Sequence, residues 1–319
     1  MSMTNFPQGF ANGLSVRGMP LLQMQPGNVF WVNASTVLNV GAAAGSDNNR
    51  GTYLRPFATV AGALAQCVAG RGDIIFVGAG HTETLSSATA LAMSVKGVAV
   101  IGLGSGSLRP TFTLDTANTA TIAVSADDVS FQNCIFVANF LTIAACFTLT
   151  TAKNFFLSGC EFRDTAANKN FANIVKSTGA ANTADGVTVQ DCFYPSIGTT
   201  FNTLVLIADA VDRMNLVKNN VFTISTSDVA ILAVSTTGAV TNLFIDRNNC
   251  TCKATTHTSS LLILGTGTAG TGMISNNFCG SLDAAAGVLF IVTIGWRSAG
   301  NSISGALAGQ GFPIPALDS

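Results

Sequence analysis

An all-β solenoid of short parallel strands is predicted by three observations: a unit that recurs about every 28 residues, period-two alternation inside each unit, and a turn residue that keeps its place from unit to unit. The units are Val129–Phe136, Phe155–Phe162, Val187–Tyr194, Asn215–Phe222, Phe244–Thr251 and Gly272–Cys279, with a degenerate seventh at Gly300–Ile303. Aligned on Cys134, Cys160, Cys192, Asn220, Asn249, Asn277 and Asn301, they are separated by 26, 32, 28, 29, 28 and 24 residues. Helical repeats would need apolar spacings of three and four, which the units lack, and the leucine-rich pattern is absent as well. That leaves a parallel β-helix, in which equivalent residues of successive coils stack about 4.8 Å apart. The aligned Cys/Asn position then becomes a ladder. Asparagine suits it because its amide bonds the neighbours above and below and tolerates left-handed backbone angles; cysteine fits where the slot is drier.

The elements follow in chain order. Residues 1–50 read as an extended arm, with one charge, Arg17, before Asp47, prolines at 7, 20 and 26, and glycines at 9, 13, 18 and 27. An uncharged arm bearing aromatics needs something to pack on: its own coils, a neighbouring subunit or a larger surface. Its docking candidates are Phe6, Phe10, Leu14, Val16, Arg17, Leu21, Phe30 and Trp31. The solenoid is expected over 51–310. A short amphipathic helix near 56–68 opens it, with Pro56 at the first turn and Gly70 beyond the end. Lying across the open end, that helix would cover unpaired edge groups. Glycine-bounded strands follow in Gly72–Gly80 and Val98–Gly104, and residues 311–319 form an extended tail.

Composition narrows the function. The chain is 48% hydrophobic and only 10% charged, with 32 glycines, a net charge of -1 and a mean hydropathy of +0.45. Ordinary soluble domains are about a quarter charged, so this one exposes neutral Ser, Thr, Asn and Gly or buries its exterior in an assembly. Such apolar content excludes disorder, and the lack of any Lys/Arg run removes the footprint of a nucleic-acid binder. Met1–Pro7 has neither the basic nor the apolar region of an export signal. The uncharged stretch 129–152 is broken by Gln132, Asn133 and Asn139 and reads as strands, so no membrane span is expected. Eight dispersed cysteines read as buried thiols; Cys250-Thr251-Cys252 has no zinc-type partner, and no metal or other cofactor is expected.

Arg55-Pro-Phe-Ala-Thr59, the helix after it, Gly72-Asp-Ile-Ile-Phe-Val77, Gly80-His-Thr-Glu83 and the coils together resemble the pectin-lyase-like superfamily over roughly Gly51 to Ser304. The resemblance implies a right-handed, single-stranded parallel β-helix. That superfamily holds polysaccharide lyases and hydrolases and also many bacteriophage virion proteins. The segments Phe6–Pro20 and Pro26–Val32 look like the N-terminal segments of phage head-associated proteins. By that likeness the chain is expected to be a non-enzymatic capsid decoration or cement protein, made in the host cytoplasm and carried on the outside of the head. Its partners would be itself, as a homotrimer, and the major capsid protein. The competing reading is a tailspike or tail-fibre protein that binds host-surface polysaccharide.

Catalytic β-helices work through grouped carboxylates with basic partners. Asp127-Asp128 is the one adjacent acidic pair and reads as a turn. Glu161 and Arg163 lie two apart on one strand face beside Asp164, which suggests a surface ion pair, and Asp209, Asp212 and Arg213 would join them if the coil register allowed. His81 sits in a glycine turn and is expected to be structural; His257 has no partners in sequence. Gly102-Leu-Gly-Ser-Gly106 lacks the Lys-Ser/Thr of a phosphate loop. No catalytic constellation is assembled.

Overall fold

The computed structural model describes residues 15–16, 19–20, 27–34, 41–226, 229–234, 239–256, 263–265, 270–282 and 296–304. Its strands fall into three parallel sheets that the chain visits in rotation, the pattern of a right-handed parallel β-helix. The first sheet has ten strands, from Val29–Val32 to Trp296–Ala299. The second has nine, from Thr82–Leu85 to Ser302–Ser304, and the third has seven, from Leu91–Met93 to Ile263–Gly265. Separately, Ser15–Val16 pairs antiparallel with Met19–Pro20.

Alternation places one side chain in the lumen and the next outside, as in the first-sheet strand Ile74–Val77, where Ile75 and Val77 are buried and Ile74 and Phe76 are half-buried. Stacking then lines up like residues. Phe112, Phe136 and Phe162 occupy one column, with ring centroids 5.5 and 5.4 Å apart and planes within 20°. Offset stacks of this kind add about 0.5–1.5 kcal/mol per pair to the burial of the rings.

Corners are made by single left-handed residues. In the turn from the first sheet to the second, Asn133, Gly159, Asp191, Lys218, Arg247, Asn276 and Gly300 all have φ between 53° and 64°. The residue after each is the ladder position. The strand registers bring Cys134, Cys160, Cys192, Asn219, Asn248, Asn277 and Asn301 into one column, preceded by His81 and Pro110. Asn220 and Asn249, aligned by sequence with this column, instead begin second-sheet strands and stand on the outer face. The left-handed slot takes Lys218 and Arg247 in those coils, so the ladder residue is the first Asn of each Asn-Asn pair; only at Asn276-Asn277 is it the second.

The solenoid starts earlier than residue 51. Val29–Val32 pairs in parallel with Ile74–Val77, and Gly27 stacks so closely that a Cβ there would lie 2.3 Å from the Gly72 carbonyl oxygen. The helix is shorter than the sequence pattern suggests, Val60–Leu64, because turns tighten directly behind it: the N–H groups of Gln66 and Cys67 donate to the carbonyls of Ala63 and Leu64. Thr59 caps it, accepting from the Gly62 N–H, while Asp47 accepts from the N–H groups of Ala58 and Thr59. It packs on Val29–Val32, Ile74–Val77 and Leu91–Met93, covering the end strand of the third sheet.

Candidate functional site

The docking candidates separate into two groups. Phe6, Phe10, Leu14, Arg17 and Leu21 lie outside the described residues, and Val16 is described only as backbone in its two-residue strand. Phe30 and Trp31 belong not to an arm but to the first coil. Phe30 points inward, packs on the core and lies 6.1 Å from the Phe57 ring. Trp31 points outward, edge-on to Tyr53 at 4.9 Å and 5.2 Å from Phe76. Backbone pairing recruits both: the Trp31 N–H donates to Gly51 and its carbonyl accepts from Phe57.

Trp31 opens a continuous neutral surface, the outer face of the first sheet. One outward column runs Val29, Ile74, Ala99, Ser130, Phe156, Thr188, Asn215, Phe244 and Met273, and the column beside it runs Trp31, Phe76, Ile101, Gln132, Ser158, Gln190 and Val217. The second column then reaches Asp246, and the first reaches Arg297 beyond Met273; before those residues neither contains a charge. Val29, Phe244 and Met273 are 43%, 37% and 36% exposed. Charge lies along both edges instead. Before the sheet, Lys96 approaches Asp127 and Asp128 at 3.7 and 3.4 Å, Lys153 approaches Asp185 at 3.4 Å, and Asp212 accepts from Thr241 and Asn242. After the sheet stand Asp191, Lys218 and Arg247, all exposed.

The charged clusters weighed as sites are bonded within the coils. Asp128 has φ 59° and accepts from Asn154, a turn residue as expected. Glu161 and Arg163 do share the outer face of the second sheet, with Arg163 Nε donating at 2.6 Å; Arg109, which sequence reasoning missed, closes on the other carboxylate oxygen. Burial pushes Glu161 up, but the two guanidiniums outweigh it and hold the carboxyl below its ordinary value. Asp164 turns away, accepting from the Tyr194 and Ser196 hydroxyls at 2.7 and 2.8 Å and from the N–H groups of Ile197 and Gly198. Burial raises it above its ordinary value despite those donors. Asp212 and Arg213 sit on a first-sheet strand that pairs with Val240–Asp246, so they do not join the Glu161 cluster.

His81 is fully buried at the head of the ladder column. The Ala34 N–H donates to Nδ1 at 3.0 Å, which leaves Nε2–H to donate to Glu83 Oε2 at 3.3 Å, and that oxygen also accepts from the N–H of Val60 at the helix start. The ring therefore joins the first coil to the cap and has no free nitrogen for chemistry. His257 lies outside the described residues. Gly102–Gly106 forms a turn, with Gly104 and Gly106 at positive φ. Cys250 and Cys252 are buried in a second-sheet strand; burial raises the thiols of Cys146 and Cys192 well above their usual range and takes Cys67 to about 12, and a hydrogen bond with Cys160, then burial, raises Cys134. Among the described residues no group of three His, Cys, Asp or Glu could hold a metal, and no helix is long and apolar enough to cross a membrane.

Coils, corners and ladder make the molecule, by its fold, a right-handed parallel β-helix. A solved structure similar to it is a rhamnogalacturonan lyase, at 12% identity and a TM-score of 0.50, covering 80% of this chain and 70% of that one. Identity that low shows the fold alone. No family model matches the sequence, and no curated protein matches it.

Proposed function

We propose that this chain is a non-enzymatic structural protein of a bacteriophage particle, a decoration protein that binds the outside of the head as a homotrimer and stabilises the shell. One observation carries the reading: the coils keep their carboxylates in ion pairs and turn ladders while leaving long neutral faces, a surface suited to burial in an assembly. Polysaccharide cleavage needs a free acid or base facing a groove, and Glu161, the best-placed carboxylate, is clasped by two arginines. Bound across several capsid subunits, the protein would tie their unfolding to its own release. The N-terminal segment, whose one charge is Arg17 and which carries Phe6, Phe10, Leu14, Val16 and Leu21, is the proposed contact with the shell.

Particles of the encoding phage that lack this chain provide the test, incubated with the full chain and with a version lacking residues 1–26. The full chain is expected at regular positions over the head, and the shortened one is expected to fold but stay in solution. Equal occupancy by both would overturn the docking role. A second reading, a tail protein that binds glycan, draws on exposed Phe193, edge-on to Phe222 at 5.9 Å on the outer second sheet, a pair open to sugar stacking. Density confined to the tail, with loss of glycan binding in Phe193→Ala, would favour it.

A further inference from the structure

We infer that the turn Thr52–Arg55 is a docking knob whose exposed Tyr53 and Leu54 enter an apolar pocket, rimmed by carboxylates, on the capsid shell. The inference names further residues for the shell contact and rests on the proposed function. Among the described residues, Tyr53 and Leu54 are the only large apolar side chains adjacent in sequence that are both exposed, at 41% and 46%. They fill the two central positions of a tight turn. Gly, Asn, Asp and Pro ordinarily stand at such positions, because they adopt turn backbones readily and the site faces water. Neither Tyr53 nor Leu54 belongs to the core, so folding gives no reason for two apolar side chains there.

The backbone holds the knob in place. The N–H groups of Thr52 and Arg55 donate to each other's carbonyls at 3.1 and 3.0 Å, and the Leu54 carbonyl accepts from the Ala43 N–H at 2.8 Å. On either side of the turn, the Gly51 carbonyl accepts from the Trp31 N–H and the Phe57 N–H donates to the Trp31 carbonyl, both at 2.8 Å. Gly51 has φ 69°, and a Cβ there would meet the Phe57 ring at 2.2 Å. The Trp31 ring stands edge-on to Tyr53 and supports it from the first coil. A tip fixed before docking has little ordering entropy left to lose.

Charge identifies the occupant. Arg50 and Arg55 flank the tip, both exposed, and among the described residues neither forms an ion pair. Asp47, the one carboxylate in residues 41–57, is engaged at the helix start, accepting from the N–H groups of Ala58 and Thr59 and from the Thr59 hydroxyl. Tyrosine and arginine around a desolvated apolar centre are the side chains that dominate binding energy at protein interfaces. Two guanidiniums without carboxylates of their own call for carboxylates on the partner. Position agrees with the shell: residues 1–26 join the fold at Gly27, just before the strand Val29–Val32 that anchors the turn. Both proposed contacts therefore share one end of the solenoid.

Heads isolated from phage lacking this chain test the knob, with binding of the full chain followed by co-sedimentation over a concentration series. Tyr53→Ser/Leu54→Asn is expected to bind about tenfold more weakly than the wild type while keeping its far-ultraviolet spectrum and cooperative melt. Leu54→Glu alone, which keeps the Trp31–Tyr53 contact, replaces the pair if the pair does not fold. Arg50→Glu/Arg55→Glu is expected to weaken binding too and to flatten its dependence on salt. Leu282→Asn, 58% exposed in the last coils, is the control and is expected to bind like the wild type. A full chain that binds heads while the folded turn variants bind equally well overturns the inference and leaves the proposed function standing; a full chain that binds no head removes both. A turn variant that instead lowers the sedimenting mass of the free chain assigns the knob to a second copy and overturns the shell as its occupant.

Discussion

At the scale of single residues, the ladder decides how the coils are held in register. The N–H and Nδ2 of Asn219 donate to Asn248 Oδ1 at 2.9 and 3.0 Å, those of Asn248 donate to Asn277 at 2.9 Å, and those of Asn277 donate to Asn301 at 2.9 and 2.8 Å. Each Nδ2 also reaches a carbonyl of the preceding coil, such as Leu216 from Asn248. Buried donors and acceptors left without partners cost about 1–3 kcal/mol each. Asn248→Ala strands the Asn219 N–H and the Leu216 carbonyl, so it is expected to destabilise by about 3 kcal/mol in urea unfolding. Asn249→Ala, one residue on and facing outward, is expected to change stability by less than about 0.5 kcal/mol. Equal losses would mean that the ladder does not run through Asn248. The contrast also shows what the sequence concealed. The period was legible because a polar or thiol side chain recurs within apolar strands, but Asn219-Asn220 and Asn248-Asn249 offer two candidates each, and only the left-handed backbone at Lys218 and Arg247 chooses between them. Lysine and arginine do not advertise that conformation as glycine or asparagine would.

At the scale of elements, strands with regular alternation were legible and the irregular first coil was not. Val29–Val32 lacks a ladder residue and follows Pro26, so nothing in its own pattern ties it to the coils; pairing with a strand 45 residues later does. The join is made by a clasp absent from any motif. Asp73 accepts from Arg71 Nε at 2.7 Å, from the Val68 N–H at 2.7 Å and from the Asn28 N–H at 2.7 Å. Burial pushes its carboxyl up, but these donors outweigh burial and hold it below the ordinary 3.8. Asp246 and Glu161 are likewise held low against burial, whereas Asp164 is raised. A lowered carboxyl contributes stability that is present above its unfolded value and is lost as pH falls through the folded one; Asp164 contributes in the opposite sense, below its raised value. Asp115 and Asp212 are lowered as well, by the Thr116 N–H and the Thr241 hydroxyl first of all, so with five lowered carboxyls against one raised the melting temperature is expected to hold from pH 7 to about 5 and to fall below about pH 4. Asp73→Asn is expected to melt lower at pH 7 and to show a shallower acid decline. A parallel acid decline in the two proteins would mean that the clasp is not what titrates.

At the scale of the whole molecule, a solenoid is close to one-dimensional, each coil touching only the coils above and below. The matched registers Asn220↔Asn249 and Asn249↔Phe278 show two consecutive coils of equal length, with ladder residues Asn219, Asn248 and Asn277 each 29 residues apart. Excising residues 219–247 joins Lys218 to Asn248, so Cys192 would stack on Asn248 and the luminal Leu216 column on Ile274 without a change of phase. The shortened chain is expected to remain a folded β-helix, with the same strand signal per residue, a lower melting temperature and a correspondingly shorter sedimenting particle. Excising 219–246 instead leaves one extra residue, Arg247, ahead of the ladder. Because side chains alternate at period two, a one-residue slip turns the luminal set of every following strand outward unless a bulge absorbs it. That variant is expected to aggregate or to lose its cooperative melt. If both excisions behave alike, the coils are not independent units in fixed register, and the burial of apolar surface within each coil would not be what holds this weakly charged chain together.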